Sequence, residues 1–246
     1  MRKILLFLSI MLFLFSCKKE NNTGPETLPD AYSNQAIGKS ANDILSAGKY
    51  TTLNIQVQYM GSYELDTATI TNVASYLSGI CNKPGGITIT QSQIAATGDT
   101  LQLAEVATLE KQYRTAYTNG NTLALYIMVT DGLDTSATVL GFAYRNTSIC
   151  LFGKNIFNNS GAPGDVTRVA LESGVLEHEL GHLMGLVNLG TPMVAFHQDT
   201  AHGNHCNNLA CLMYWEIETR TGFHSVSAIP TLDSNCRNDL KANGGK

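Results

Sequence analysis

The chain has 246 residues, enough for one large or two small domains, and 43% of them are hydrophobic, which suits a buried core. Its formal net charge is −4, and its 16 basic residues form no cluster. This charge pattern argues against nucleic acid as a partner.

The first sixteen residues resemble a bacterial lipoprotein signal. Arg2 and Lys3 precede an apolar run over residues 4–15, which is shorter than the ~20 residues that a helix needs to span a bilayer. Ser16 and Cys17 are similar to a lipobox, in which the cysteine becomes the lipidated first residue of the mature protein. The resemblance implies palmitate-type acylation of Cys17 and a place in the bacterial cell envelope. An ordinary secretory signal cleaved elsewhere is the alternative.

Residues 17–48 are polar and predict a flexible tether, followed by a folded domain over residues 49–246. Without the signal, 14 basic residues (16 − 2) face 20 acidic ones, so the mature net charge is −6. Five cysteines follow Cys17, and an odd number in an exported protein leaves at least one unpaired. The apolar surroundings of Cys81 and Cys150 suit buried thiols.

The first half of the domain alternates strands and helices. Period-two alternation over residues 53–59 predicts a strand with one wet face. Asp66 caps a helix that runs to about residue 80, and residues 87–90 predict a second strand. Asp99 with Gln102 resembles a capping box for a helix that ends near residue 117.

The second half places a helix after the sheet. Residues 123–130 are nearly all apolar, as in a central strand covered on both faces, and residues 141–152 give one or two more strands. Asp165 or Thr167 then caps a long helix. This order predicts an α+β fold, with a mixed, mostly parallel twisted sheet and packed helices. We divide the domain into an upper part, 49–187, and a loop-rich lower part, 188–246.

The long helix carries His178-Glu179-x-x-His182. Residues four apart share one face of a helix, so the two imidazoles can bind one Zn²⁺ ion, while Glu179 beside it can act as a general base. The helix is apolar all round, and a buried imidazole without a partner would be costly. Gly185 can adopt the left-handed conformation that ends the helix. The alternative is a buried helix whose histidines bond to backbone.

Together with Met213 on a later turn, the motif from His178 to Gly185 resembles the metzincin clan of zinc peptidases. The spacing His205-Cys206-x4-Cys211-x-Met213 is similar to that of archaemetzincins. Further stretches look like Bacteroidetes metalloprotease lipoproteins: Lys83-Pro84-Gly85-Gly86, residues 141–146 and the terminal Ala-Asn-Gly-Gly-Lys.

The resemblance leaves the third zinc ligand to be chosen. In the usual metzincin pattern it stands three residues after the glycine, where this chain has Asn188, a poor zinc ligand. The ligand must then come from residues 187–206, which offer His197, His202 and His205. The archaemetzincin spacing implies His205, with Met213 packed under the metal as the Met-turn.

Archaemetzincins also hold a second, structural zinc that a downstream Cys-x-x-Cys completes. Here Cys236 is followed by Arg237-Asn238-Asp239, so that pair is missing. In an oxidising compartment we therefore expect a disulfide between two of Cys206, Cys211 and Cys236, and a single catalytic Zn²⁺ ion.

These resemblances imply a monomeric zinc endopeptidase that acts on proteins or peptides and touches the membrane only through its lipid. An extended substrate would add to a sheet edge formed by residues 142–152, unless that stretch is internal. Three other readings stay open: an inactive surface-binding lipoprotein, a zinc hydrolase of other substrates, and a thermolysin-like enzyme whose third ligand is Glu216 or Glu218.

Overall fold

The computed structural model describes residues 27–98, 100–133, 138–219 and 228–246. Its centre is a five-stranded sheet made of β1 (Thr52–Met60), β2 (Ile87–Ile94), β3 (Thr122–Thr130), β4 (Gly141–Arg145) and β5 (Ser148–Phe152). The strands lie in the order β2-β1-β3-β5-β4, and only β4 runs antiparallel to its neighbour. The predicted mixed, mostly parallel sheet is thus confirmed.

The described residues form six α-helices: α1 (Ala41–Leu45), α2 (Thr67–Ile80), α3 (Leu103–Tyr113), α4 (Gly153–Asn158), α5 (Arg168–Leu183) and α6 (Ser234–Ala242). Short 3-10 helices cover Ala31–Asn34 and Trp215–Glu218. The helix α5 packs against α2, β4 and β5. Within the four described ranges, no helix has both the length and the apolar character needed to cross a bilayer.

Side-chain caps start the helices close to where the sequence places them. The Asp66 carboxylate caps α2, as predicted, and Thr167 caps α5. The third helix starts later than predicted: Gln102 is its N-cap, and Glu105 completes the capping box. Asp99, the predicted cap of that helix, lies outside the described residues.

The helix α3 ends at Tyr113, about one turn before the predicted end, because the next residue leaves the helix to join a buried ion cluster. Glu110 is fully buried, and its carboxylate accepts a hydrogen bond of 2.8 Å from Arg114 and one of 2.6 Å from the Ser148 hydroxyl. Arg145 pairs with its other oxygen. This cluster joins α3 to β4 and β5.

The packed part of the chain begins before residue 49. The predicted signal, Cys17 and the first part of the predicted tether lie outside the described residues. Further along, Ile44 and Leu45 are completely buried in the core. The Lys83 ammonium donates at 2.5–2.7 Å to three backbone carbonyls of this segment, those of Asp43, Ser46 and Tyr50. These bonds hold a segment of polar composition against the domain.

Candidate metal centre

The helix α5 presents two imidazoles from one buried face. His178 is completely buried and His182 is 7% exposed, and their Nε2 atoms lie 3.1 Å apart. The Nδ1–H of His178 donates to the Leu212 carbonyl at 2.7 Å, so its Nε2 carries the lone pair. Burial lowers the pKa of His178 to about 4 and also lowers the pKa of His182 well below its usual value. Both rings are therefore neutral at pH 7, the form that binds metals.

His205 reaches the same space from the loop after α5. Its ring centroid lies 5.3 Å from that of His178 and 5.0 Å from that of His182. Its Nδ1–H donates to the His202 carbonyl at 2.6 Å, which directs a lone pair on Nε2 towards the other two rings. That Nε2 atom is buried and has no hydrogen-bond partner among the described residues.

A carboxylate lies close to this group of rings. The Oε2 atom of Glu218 lies 3.9 Å from Nε2 of His178 and 3.7 Å from Nε2 of His205. One ligand atom from each of the four residues falls within 4.8 Å of all the others. The structure thus brings together both the predicted His205 and Glu218, which the sequence offered only as an alternative third ligand.

Glu179 directly follows His178 in α5 and contacts the strand β4. It is 1% exposed, and its Oε2 accepts a 2.8 Å hydrogen bond from the backbone N–H of Ala143 in β4. Its Oε1 is buried without a hydrogen bond among the described residues. Burial raises the pKa of Glu179 well above its usual value, and the charge of Glu218 adds to this. One oxygen is thus fixed while the other stays available to accept a proton.

Met213 packs directly against α5, next to the second histidine. It is completely buried, and a Cβ added at Gly181 would lie only 2.3 Å from its sulfur. Gly185 has φ +73° and ends the helix in the left-handed conformation, as predicted. The chain therefore turns back so that Met213 lies against the segment carrying His182.

The other two candidate third ligands lie outside this group. His202 is exposed, stacks on Trp215 at a centroid distance of 4.3 Å and pairs with Asp199 at 2.6 Å. Its carbonyl orients His205, so it acts on the group only indirectly. His197 is 1% exposed and bonds to Asp239 at 2.7 Å in a separate cluster.

The prediction of a disulfide bond among Cys206, Cys211 and Cys236 is wrong in this structure. Cys81 and Cys150 are buried free thiols, as predicted, but Cys206, Cys211 and Cys236 are free and buried too. The sulfurs of Cys211 and Cys236 are 3.7 Å apart, far beyond the 2.03–2.05 Å of a disulfide bond.

The group of His178, His182, His205 and Glu218 fits a zinc ion. Three imidazoles converge, the rings of His178 and His205 are each held by a backbone carbonyl, and a buried Nε2 has no other partner. Three protein nitrogens with a carboxylate nearby match the donors that Zn²⁺ takes in enzymes. This arrangement can hold a metal ion beside a carboxylate that is able to accept a proton.

No family model matches the chain, and no curated protein matches it. Among solved structures, it is similar to an archaemetzincin from Methanopyrus kandleri, with a TM-score of 0.47 and 17% identity over 80% of this chain and 96% of that one. It is also similar to metalloproteinase-II from Bacteroides fragilis, with a TM-score of 0.45 and 15% identity over 80% of this chain and 54% of that one.

Proposed function

We propose that this protein is a zinc-dependent endopeptidase. The observation that carries the proposal is the convergence of three imidazoles and a buried glutamate beside the edge of a sheet. Zinc held by His178, His182 and His205 would supply a Lewis acid and a water of lowered pKa. Met213 would support this group where it packs against α5 at Gly181, next to His182.

Glu179 is the general base in this proposal. Its Oε2 is held by the Ala143 N–H, so the carboxylate has a fixed orientation when substrate enters. Its Oε1 accepts the proton of the attacking water and can pass that proton to the departing amine. Burial keeps competing solvent away from the carboxylate, which favours this proton transfer.

The edge strand β4 is the proposed binding surface for an extended peptide. The strand β5 is internal, since it pairs with β3 and β4, so only the first part of the predicted edge is available. A peptide added to β4 would pass Ala143, which touches Glu179. Beside β4 lies a cavity of about 610 Å³, lined by Phe142, Tyr144 and Phe152 among others. Its apolar walls suit an apolar or aromatic side chain of the substrate.

We also propose that the protein is anchored through lipid at Cys17 in a bacterial envelope, at the outer membrane or cell surface. The support comes from the sequence alone. The apolar run over residues 4–15 is too short to span a bilayer, so a lipid on Cys17 would be the anchor. Cys17→Ala should move the protein from the membrane fraction to the soluble fraction. A variant that is processed and still anchored would remove Cys17 as the attachment point.

The peptidase proposal is tested by Glu179→Gln, measured on an unfolded general protein substrate. An amide cannot accept the proton, so turnover should fall by about two to four orders of magnitude. Zinc content should not change. The matched control is Glu177→Gln, which alters a neighbouring buried carboxyl outside the metal group and should retain turnover. Activity that survives in Glu179→Gln would refute the base assignment, and a wild type inactive on all substrates would favour a binding protein.

A further inference from the structure

A second cluster of metal-binding side chains lies in the lower part of the chain. His197 precedes the third histidine of the metal centre, Cys206 and Cys211 follow it, and Cys236 is in α6. All four are buried: the cysteines completely, and the histidine with 1% exposure. We propose that His197 completes, with the three cysteines, a tetrahedral zinc site that is separate from the catalytic one.

The distances within the cluster fit tetrahedral coordination. Nδ1 of His197 lies 3.4 Å from the sulfur of Cys206 and 3.9 Å from that of Cys236, and the sulfurs of Cys211 and Cys236 are 3.7 Å apart. Zinc bonds of about 2.3 Å to sulfur and about 2.05 Å to nitrogen place tetrahedral donors about 3.8 Å (S to S) and 3.6 Å (S to N) apart. These three pairs of donors stand close to the separations that one ion requires, and the donor atoms of His197, Cys206 and Cys236 all lie within 4.8 Å of one another.

The orientation of His197 is set by a buried carboxylate. Its Nε2 lies 2.7 Å from Oδ2 of Asp239, which is completely buried. Because a carboxylate accepts, Nε2 carries the proton and Nδ1 presents its lone pair to the sulfurs. The backbone N–H of Val194 donates to the other oxygen of Asp239 at 2.6 Å. Zinc-bound histidines commonly have such a carboxylate partner.

The backbone also prepares a thiolate. The sulfur of Cys211 accepts N–H groups from Met213 and Asp233, each at 3.4 Å. Hydrogen bonds to the charged form favour that form, and the thiolate is the species that binds metal. Two N–H donors on one sulfur stabilise a thiolate more than they stabilise a neutral thiol.

Asp233 also has an oxygen within 4.8 Å of the donor atoms of His197, Cys206 and Cys236, and its Oδ2 accepts from the Cys206 thiol at 3.4 Å, but both of its oxygens already have other donors. Its Oδ1 caps α6 through the N–H of Cys236 at 2.9 Å, and its Oδ2 accepts from Asn208 at 3.1 Å. The donors that remain are three sulfurs and one imidazole. A set of four protein ligands without an open position is typical of structural zinc, and soft thiolates select zinc over magnesium or calcium.

This second ion would hold His205, the proposed third ligand of the catalytic zinc, in place. Cys206 directly follows His205, and its N–H donates to the Met213 carbonyl at 2.7 Å. Cys211 lies two residues before Met213, while Cys236 belongs to another element. An ion bound to these three cysteines would therefore clamp the loop that carries both His205 and Met213 onto α6.

Metal analysis of the full chain, purified under reducing conditions, tests the proposal without using peptidase activity. We expect about two zinc ions per chain, and about one in the double variant His178→Ala/His182→Ala. With cobalt in place of zinc, that double variant should still show a thiolate-to-cobalt charge-transfer band. His197→Ala and Cys236→Ser should lower the zinc content to about one ion or less. Cys150→Ser, which removes a buried thiol outside the cluster, should leave it unchanged.

A titration of the wild type covers the case in which these variants do not fold. Stepwise addition of an organomercurial should release the second zinc as about three thiols react. The proposal is overturned if the double histidine variant holds no metal, or if the mass of the chain shows a disulfide among Cys206, Cys211 and Cys236. Either result would leave the test of Glu179 unaffected, and an inactive enzyme with two zinc ions would leave the second site intact.

Discussion

Replacing Gly181 by alanine should push Met213 out of its position against α5. The added Cβ would lie 2.3 Å from the Met213 sulfur and 3.1 Å from its terminal methyl, whereas ordinary contacts begin at 3.4 Å. The sulfur must therefore move by about 1.1 Å (3.4 − 2.3). Met213 is completely buried, so the flexible end of its side chain must repack inside the core beside α5.

The expected magnitude follows from two opposing effects. Alanine in place of glycine inside a helix stabilises it by about 1 kcal/mol, and overpacking a buried site costs about 1–3 kcal/mol. The free energy of unfolding should then fall by about 0–2 kcal/mol. When Met213→Ala is made first, the obstacle is gone and Gly181→Ala should stabilise the chain by about 1 kcal/mol. The coupling energy between the two sites is thus about 1–3 kcal/mol.

Urea unfolding of the four proteins of this double-mutant cycle, at one fixed concentration of free zinc, measures the coupling. Competition with a chelating dye then measures zinc affinity, which Gly181→Ala should weaken. Gly79→Ala in α2 is the matched control, since nothing lies within 4 Å of its added Cβ. If Gly181→Ala stabilised the wild type as much as Gly79→Ala does, Met213 would not be packed against α5.

Three further predictions concern the buried polar groups. Lys83→Met should lower the free energy of unfolding by about 3 kcal/mol in urea, because three backbone carbonyls lose their donor; an unchanged midpoint would contradict this. Glu110→Gln should cost about 3–5 kcal/mol in the same assay, since two buried arginines lose their counter-charge, and a loss below about 1 kcal/mol would show that they find other partners. Burial raises the pKa of Cys81 to about 12 and that of Cys150 even further, so the neutral thiol prevails until the pH approaches these values. Neither should react with iodoacetamide at pH 8 before denaturation, and labelling of either in the folded protein would contradict their burial.

The local parts of the fold could be predicted because their signals are local. The strand over residues 53–59, the cap at Asp66 and the glycine turn at Gly185 each depend on neighbours within a few residues. The wet face predicted for that strand is wrong, because Gln56 and Gln58 are buried and bond to the end of α3 and the segment that follows it. The apolar run at residues 123–130 likewise predicts a central strand, and β3 is buried along almost its whole length. Such patterns determine elements and sheet class without knowledge of distant contacts.

The polar interior could not be predicted, because each partner comes from a distant part of the chain. Glu110 and Arg145 carry no periodic signal that pairs them, and only the sheet brings β4 to α3. The same holds for Lys83, whose three acceptors lie more than 30 residues away, so the segment containing Ile44 looked like part of a tether. Buried charges are satisfied by tertiary structure, which composition does not encode.

The choice among the histidines shows where sequence reasoning reaches its limit. His197, His202 and His205 occupy one short stretch, and chemistry alone favours none of them. The resemblance to the archaemetzincin spacing between the third histidine and the methionine favoured His205. The sequence does not predict that His197 faces the cysteines. The orientation of its ring depends on a hydrogen bond to Asp239, which lies 42 residues further along the chain. One short loop therefore places His205 in one buried cluster and His197 in another, where the carboxylate of Asp239 holds the His197 ring.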